Sequence, residues 1–452
     1  MSRLFGTDGV RGVANSELTP ELALQIGRAA ASVLSERGGD APIVVGRDTR
    51  VSGTMLEAAL IAGITSVGRN AISIGIVPTP AVASVVRSIG GAAGAMISAS
   101  HNPIADNGIK FFGPDGFKLS DDLEDRIEAL LDSPELPRPS GTAIGTAQVA
   151  QNLARHYYAE LYEEARSLAG LHVVLDGAFG AAYAIAPYAL RKLGANVTEL
   201  NCENDGGRIN VDCGATDLRG VQAAVRSSIE NGEKSVIGVA FDGDADRALF
   251  VDETATILTG DHVLFALACE MQDRNELPEA TVVATVMSNL GFERALRTRA
   301  IRLLRTAVGD RYVLEQMRTG GYRLGGEQSG HVIDFRHNTT GDGPRTAITL
   351  LGIMASRGAT LHELVRNVVY VPQVLVNVRT PHREVLDSPR VREEIAAAQM
   401  ELGESGRLLI RPSGTEPLIR VMAEGDDRVL VENVARRVAG RIEREVERFV
   451  ST

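Results

Sequence analysis

Residues 42–53 read PIVVGRDTRVSG. A short apolar run from Pro42 to Val45 gives way to a turn rich in Gly and Asp and then to a stretch of helical period, which is the rhythm of an α/β fold. The rhythm returns at Leu171 to Leu175 before DGAFGAA and at Thr281 to Val286 before SNLG. Units spaced roughly 120 residues apart imply three related layers, each a partly parallel sheet covered by helices. The Pro- and Gly-rich stretch Ser133 to Thr146 reads as a connection, a second break follows the strand Ala248 to Asp252, and a third lies near Val371-Pro372. The expected domains are therefore 1–150, 151–252, 253–370 and 371–452, the last a small α+β domain ending in a periodic helix from Asp427 to Phe449.

The chain has 452 residues, 47 Lys+Arg against 58 Asp+Glu, a formal charge of −11 and 44% apolar residues. Such an acidic balance disfavours a nucleic-acid backbone binder, and aromatics at 4% with no Trp leave few base-stacking platforms. Small anions remain possible ligands through local Arg clusters and backbone N–H groups. Cys202, Cys213 and Cys269 form no CxxC pattern, no apolar leader opens the chain, and no long uncharged apolar run occurs, so a cytoplasmic protein without a membrane partner is expected. The amphipathic segment Pro20 to Arg37 is readable as an internal packing face or as a homodimer contact.

Five motifs carry polar chemistry. In AMISASHNP, residues 95–103, an apolar strand end runs into Ser98, Ser100 and His101, and Pro103 keeps Asn102 out of helix. A hydroxyl on a constrained loop beside His101 and near Lys110 suits a nucleophile or phosphate carrier, although the segment alone is equally a polar turn. In Asp242-Gly243-Asp244-Ala245-Asp246-Arg247 three carboxylates at alternate positions can converge on one hard cation such as Mg²⁺. An EF-hand loop fails, because Arg247 stands where that loop needs Gly and the flanks read as strands. A hydrolase using the first Asp as nucleophile fits less well than a metal site serving another nucleophile.

GGEQSGH, residues 325–331, sets Glu327 and Ser329 to point the same way toward sugar hydroxyls, with His331 able to meet a phosphate or move a proton. RPSGTEP, residues 411–417, with Arg420 beyond it, offers Arg411, Ser413, Gly414 and Thr415 as an anion cradle. FGTDGVRG near the start places Arg11 between glycines, and Gly46-Arg47-Asp48-Thr49-Arg50 is either a support for the serine loop or a structural ion-pair turn. No GxxxxGK phosphate loop is present.

In this order the motifs resemble the α-D-phosphohexomutase superfamily, with the likeness running from residue 5 to about 420. The resemblance implies three related mixed α/β sheet domains and a smaller C-terminal α+β domain around a central cleft. It also implies a phosphorylated Ser100 that ligates Mg²⁺ with Asp242, Asp244 and Asp246, and catalytic roles for His101, Lys110 and Arg11 around the transferring phosphoryl group. By the same likeness Arg247, Glu327, Ser329 and His331 would bind the sugar, and Arg411, Ser413, Gly414, Thr415 and Arg420 its distal phosphate. FGTDGVRG, VGDRYV at 308–313 and Gln328 are similar to the branch that acts on glucosamine phosphates through a 1,6-bisphosphate. A plain-hexose branch acting on mannose or glucose phosphates, or a non-catalytic sugar-phosphate binder, are the alternatives. Many hexose-specific relatives have Lys where this chain has Ala307, so His331, Lys110 or another group would have to move the proton here.

Overall fold

The computed structural model describes residues 3–6, 8–413 and 417–450. They form two compact units, one built from the residues up to 287 together with 301–366, the other from 288–300 together with 367–452.

The larger unit holds three sheets. In the first, Ile43–Arg47 is flanked in parallel by Ala71–Ile76 and Ala93–Ile97; Asp106–Phe112 and Val10–Val13 continue it antiparallel on one side, and Ala147–Val149 closes the other. The second runs Ile257–Leu258, Ala248–Val251, Val236–Phe241, His172–Asp176, Asn196–Leu200, and the third Arg302–Thr306, Thr281–Thr285, Leu324–Gly326, Val332–Asp334. Each thus pairs a parallel core with an antiparallel edge. The parallel strands are almost wholly apolar because helices cover both faces.

Helices Pro20–Gly38 and Gly53–Ser66 show how an Ala- and Gly-rich chain packs without aromatics. A Cβ on Gly27 would lie 2.3 Å from Leu60 O, and one on Gly63 would lie 2.2 Å from Leu24 O, so the backbones touch at that crossing. Ala23, Ile26, Ala30, Val33 and Leu34 are buried in the same core, so the amphipathic face of Pro20–Gly38 packs internally.

In the smaller unit, Gln373–Arg379, Leu418–Gly425 and Gly406–Pro412 form an antiparallel sheet. Helices Pro389–Leu402 and Arg428–Val450 pack onto it. Val431, Val434, Ala435, Val438 and Ile442 fall on one helical face and are buried, as the periodicity requires. Asp427 starts that helix, its Oδ1 accepting the amides of Val429 at 2.9 Å and Leu430 at 3.2 Å.

Ile257–Leu258 still pairs with Phe250 and Val251, so the second sheet extends past residue 252; the Asp252 side chain accepts the amides of Thr254 and Thr256 and folds the chain into a hairpin there. Helix Leu290–Thr298, assigned by sequence to 253–370, lies in the smaller unit, where Asn289 Oδ1 accepts the Val371 amide at 3.1 Å. Among the described residues no helix is long and apolar enough to cross a membrane.

Candidate active site

Strand Ala93–Ile97 delivers its chain into the serine loop, where Ser100 is fully buried with φ +51°, a left-handed conformation that costs a non-glycine residue energy. The loop is held by Arg50, itself buried. Its guanidinium donates to the carbonyls of Ser100 (2.9 Å), Asn102 (2.8 Å), Pro103 (2.7 Å) and Asp106 (2.9 Å), and to Asp48 at 3.1 Å. Asp48 also accepts Ser98 Oγ at 2.7 Å, and Ser98 Oγ in turn accepts the Ser100 amide at 2.8 Å. Ser98, the second serine of the motif, is therefore part of the brace. From the second sheet's domain, Asn210 adds a bond to the Ser100 carbonyl at 2.8 Å.

The brace aims Ser100 Oγ at Asp242 Oδ2, to which it donates at 2.6 Å, with His101 Nδ1 at 3.2 Å. Strand Val236–Phe241 ends at this acidic turn, and Asp242, Asp244 and Asp246 bring carboxylate oxygens within 4.8 Å of one another, all buried. Burial, reinforced by Asp246 and Asp244, pushes Asp242 up to about 8. Burial also opposes ionisation of Asp246, yet Lys110, His331 and Arg247 outweigh it and hold that carboxyl well below the usual range. Among the described residues, Asp244 Oδ1 is buried with no hydrogen-bonding partner, and Asp246 Oδ1 lies 3.6 Å from His331 Nδ1 and 4.0 Å from Arg247 Nε. Hard oxygen donors converging within 4.8 Å and an orphaned carboxylate oxygen fit a divalent cation.

Cations surround this cluster. Lys110 Nζ lies 2.7 Å from Asp244 Oδ2, 3.4 Å from Asp246 Oδ2 and 3.8 Å from Asp8 Oδ2. Burial alone would discharge it, but Asp244, Asp8 and Asp246 raise its pKa and keep it an ammonium. Arg11 pairs with Asp8 and donates to Asn102 Oδ1 at 3.2 Å, which puts it beside the serine loop. Burial, with Arg247 and Arg11 nearby, drops His101 to about 4, so its ring is neutral. Lys118 sits between Asp8 and Asp310, and Asp310 Oδ2 is 3.5 Å from His331 Nε2.

The Gly-rich loop that follows Leu324–Gly326 closes the other side. The Gly309 amide donates to Glu327 Oε1 at 3.2 Å, and Ser329 Oγ donates to Glu327 Oε2 at 3.4 Å, so Glu327 and Ser329 do face the same way. A β-bridge joins Arg247 to His331, and the Arg247 amide donates to Asp242 Oδ1 at 3.2 Å, tying the sugar-loop candidates to the acidic turn. Ser100, His101, Lys110, Arg11, the three Asp, Arg247 and His331 thus form one linked cluster in the larger unit, and the serine loop and acidic turn lie at the C-terminal ends of the parallel strands Ala93–Ile97 and Val236–Phe241, where α/β folds bind ligands.

In the smaller unit Arg411 and Arg420 stand directly opposite on paired strands. Burial and the Arg420 charge lower the Arg411 pKa, an arrangement that an anion would relieve. Ser413 lies at the strand end, and Arg383 donates to its carbonyl at 2.9 Å. Gly414 and Thr415 lie outside the described residues.

Comparison with known proteins decides the family. Models of the phosphoglucomutase/phosphomannomutase family match along the chain: alpha/beta/alpha domain I at residues 2–138, domain II at 155–256, domain III at 259–370 and the C-terminal domain at 375–441. The phosphoglucosamine mutase of Moorella thermoacetica is 50% identical over 438 residues, 96% of this chain and 98% of its own. That of Rhodococcus jostii is 50% identical over 447 residues, 98% and 99% of the two chains. The chain belongs to the phosphoglucosamine mutase family. Among solved structures, a phosphoglucomutase/phosphomannomutase family protein from Burkholderia thailandensis superposes with TM-score 0.84 at 25% identity, covering 98% of each chain. The N-acetylphosphoglucosamine mutase of Aspergillus fumigatus, solved with GlcNAc-6P and magnesium, shares the fold at TM-score 0.68 and 16% identity, covering 98% of this chain and 96% of its own.

For a phosphoglucosamine mutase family member, the residues that sequence reading overlooked are as informative as those it found. Asp8 and Asp310 stood inside FGTDGVRG and VGDRYV without being singled out, and Asn210 carried no local signal, since each is an ordinary polar residue until folding places it. Arg50 stood in a noted segment, but only the four carbonyls around it distinguish a loop brace from a surface ion pair.

Proposed function

We propose that this enzyme, an isomerase, interconverts glucosamine 6-phosphate and glucosamine 1-phosphate through a phosphorylated Ser100. The observation that carries the proposal is Ser100 Oγ, braced in a strained loop, 2.6 Å from a carboxylate of a buried acidic cluster whose oxygens converge as cation ligands do. Asp242, Asp244, Asp246 and Ser100 would hold Mg²⁺, whose bound charge offsets that of the phosphoryl group in flight.

Phospho-Ser100 gives its phosphoryl group to the O1 hydroxyl of glucosamine 6-phosphate. The P–O bond to Ser100 breaks as the bond to O1 forms, and the hydroxyl proton passes to a base. The resulting 1,6-bisphosphate turns over, its 6-phosphoryl group returns to Ser100, and O6 recovers a proton. Lys110 and Arg11 steady the phosphoryl oxygens. Lys110, held as an ammonium by its three carboxylates, is suited to neutralising charge, which leaves a ring to move the proton: neutral His101 as acceptor, with His331, whose pKa Asp246 and Asp310 raise against burial, as donor. Glu327, Ser329 and Arg247 grip the sugar, while Arg411, Ser413, Gly414, Thr415 and Arg420 bind the phosphate that is not reacting. This division assigns the phosphoserine to 1–150, the metal turn to 151–252, the sugar loop to 253–370 and the phosphate cradle to 371–452. The setting is cytoplasmic, with neither nucleic acid nor membrane as partner. A homodimer would have to use a surface other than the buried face of Pro20–Gly38.

³¹P NMR with Mg²⁺ and catalytic glucose 1,6-bisphosphate tests the proposal on glucosamine, mannose and glucose 6-phosphates. Faster 1-phosphate formation from the amino sugar, abolished in Ser100→Ala, is expected. Preference for a plain hexose moves the chain to that specificity, and binding without turnover by a phosphorylated enzyme makes it a sugar-phosphate binder.

A further inference from the structure

We propose that Thr79 is a positioning residue for the acidic turn: its hydroxyl fixes one oxygen of Asp244 and so leaves the other for the cation, an assignment that rests on the metal reading above. The three carboxylates of the turn all belong to the second sheet's domain, whereas Thr79 comes from the first's, so the two domains would build the metal site jointly.

Thr79 opens helix Thr79–Ile89, which follows strand Ala71–Ile76. The first amides of a helix have no partner within it, and the Thr79 amide donates to the Asp244 carbonyl at 2.9 Å. The Thr79 hydroxyl donates to Asp244 Oδ2. A residue 165 positions away thus grips both the main chain and the side chain of Asp244, and both residues are fully buried. Pro78 and Pro80 flank Thr79, and their rings restrict the backbone on either side, so the hydroxyl is presented from a stiff frame.

Each carboxylate of the turn has its own support. Asp242 accepts Ser100 Oγ on Oδ2 and the Arg247 amide on Oδ1. Asp246 lies against Lys110, His331 and Arg247. On Asp244 the ammonium of Lys110 shares Oδ2 with Thr79 but also reaches Asp246 at 3.4 Å, so Lys110 is divided between two carboxylates. The Thr79 hydroxyl has one proton to donate, and it goes to Asp244. Being neutral, it orients the carboxylate without adding a charge that competes with a cation. With Oδ2 held, Oδ1 is the oxygen that is buried and, among the described residues, lacks a hydrogen-bonding partner. Groups that hydrogen-bond a ligating side chain in this way typically cost about 10–100-fold in metal affinity when removed.

The test is calorimetric titration with Mg²⁺ of the EDTA-stripped, full-length, Ser100-phosphorylated enzyme, for wild type, Thr79→Val and Thr79→Ser. Thr79→Val keeps the shape and the backbone N–H but removes the hydroxyl, and Thr79→Ser keeps the hydroxyl but removes the methyl. Thr79→Val is expected to bind Mg²⁺ about 10–100-fold more weakly, with Thr79→Ser within about threefold of wild type. Urea titration of the metal-free proteins separates positioning from packing, because a packing role lowers stability while leaving Mg²⁺ affinity unmoved. Wild-type affinity in Thr79→Val, or an equal loss of affinity in Thr79→Ser, overturns the proposal. Absence of Mg²⁺ binding by the wild type, by contrast, defeats the metal reading itself and is seen before any variant is compared. Should Thr79→Val fold poorly, Thr79→Ala replaces it, with the same loss expected and unchanged affinity overturning the proposal.

Discussion

Arg50 donates to the carbonyl of Ser100 at 2.9 Å, and this bond, with three more to the carbonyls of Asn102, Pro103 and Asp106, makes one buried guanidinium the frame of the serine loop. A lysine has the charge but lacks the planar fork that reaches four acceptors at once. Arg50→Lys should therefore fold, yet accept phosphate from glucose 1,6-bisphosphate at least tenfold more slowly. Phosphoserine formation followed by intact-mass spectrometry reads this directly, and wild-type rates would remove Arg50 from the positioning role.

The acidic turn predicts its own metal dependence. With Asp244 Oδ1 unpartnered among the described residues and Lys110 already bonded to Asp244 Oδ2, the amide in Asp244→Asn removes one charged candidate ligand while keeping the shape. Calorimetric Mg²⁺ affinity should fall by more than tenfold and turnover by about 10²–10³-fold, the scale on which loss of one electrostatic stabiliser is felt. Chelation of wild type should abolish turnover and leave the fold intact, since the core strands flanking the turn are apolar.

His337 supplies a pH-dependent term away from the cluster. Burial, and then Arg345, whose Nη2 lies 2.6 Å from Nδ1, push the ring down to about 4 from 6.5. Between those values the unfolded chain binds the extra proton, so this stability is complete above pH 6.5 and is lost as pH falls through 4. For a partly exposed ring the effect is roughly 1–2 kcal/mol after solvent screening. His337→Gln should reduce the drop in melting temperature between pH 7 and pH 4.5 in differential scanning fluorimetry; a drop identical to wild type would falsify the assignment.

Two glycines in helices should respond with opposite sign. At Gly63 an added Cβ meets Leu24 O at 2.2 Å, so the ~1 kcal/mol of helix propensity gained by Ala is outweighed by overpacking of about 1–3 kcal/mol or more. At Gly440 the nearest atom is the flexible tip of Arg444 at 3.5 Å, and Gly440→Ala should stabilise by up to about 1 kcal/mol. Urea titration of the two variants checks the difference in sign.

The sequence by itself determined the layered α/β plan, the last helix and the clustering of three carboxylates on one turn, because alternating apolar runs and close-spaced carboxylates are local properties of a chain. DGDADR was legible since its three carboxylates lie within five positions. The hairpin past Asp252 was not, because its return strand, Ile257–Leu258, has too few residues to show a period. Only the tertiary structure decided that Arg50 serves Ser100, that Asp8 is shared by Arg11, Lys110 and Lys118, and that Asp310 reaches His331. Those pairs lie up to 110 positions apart in the sequence. A charged side chain declares its partner only when folding removes the water that would otherwise satisfy it.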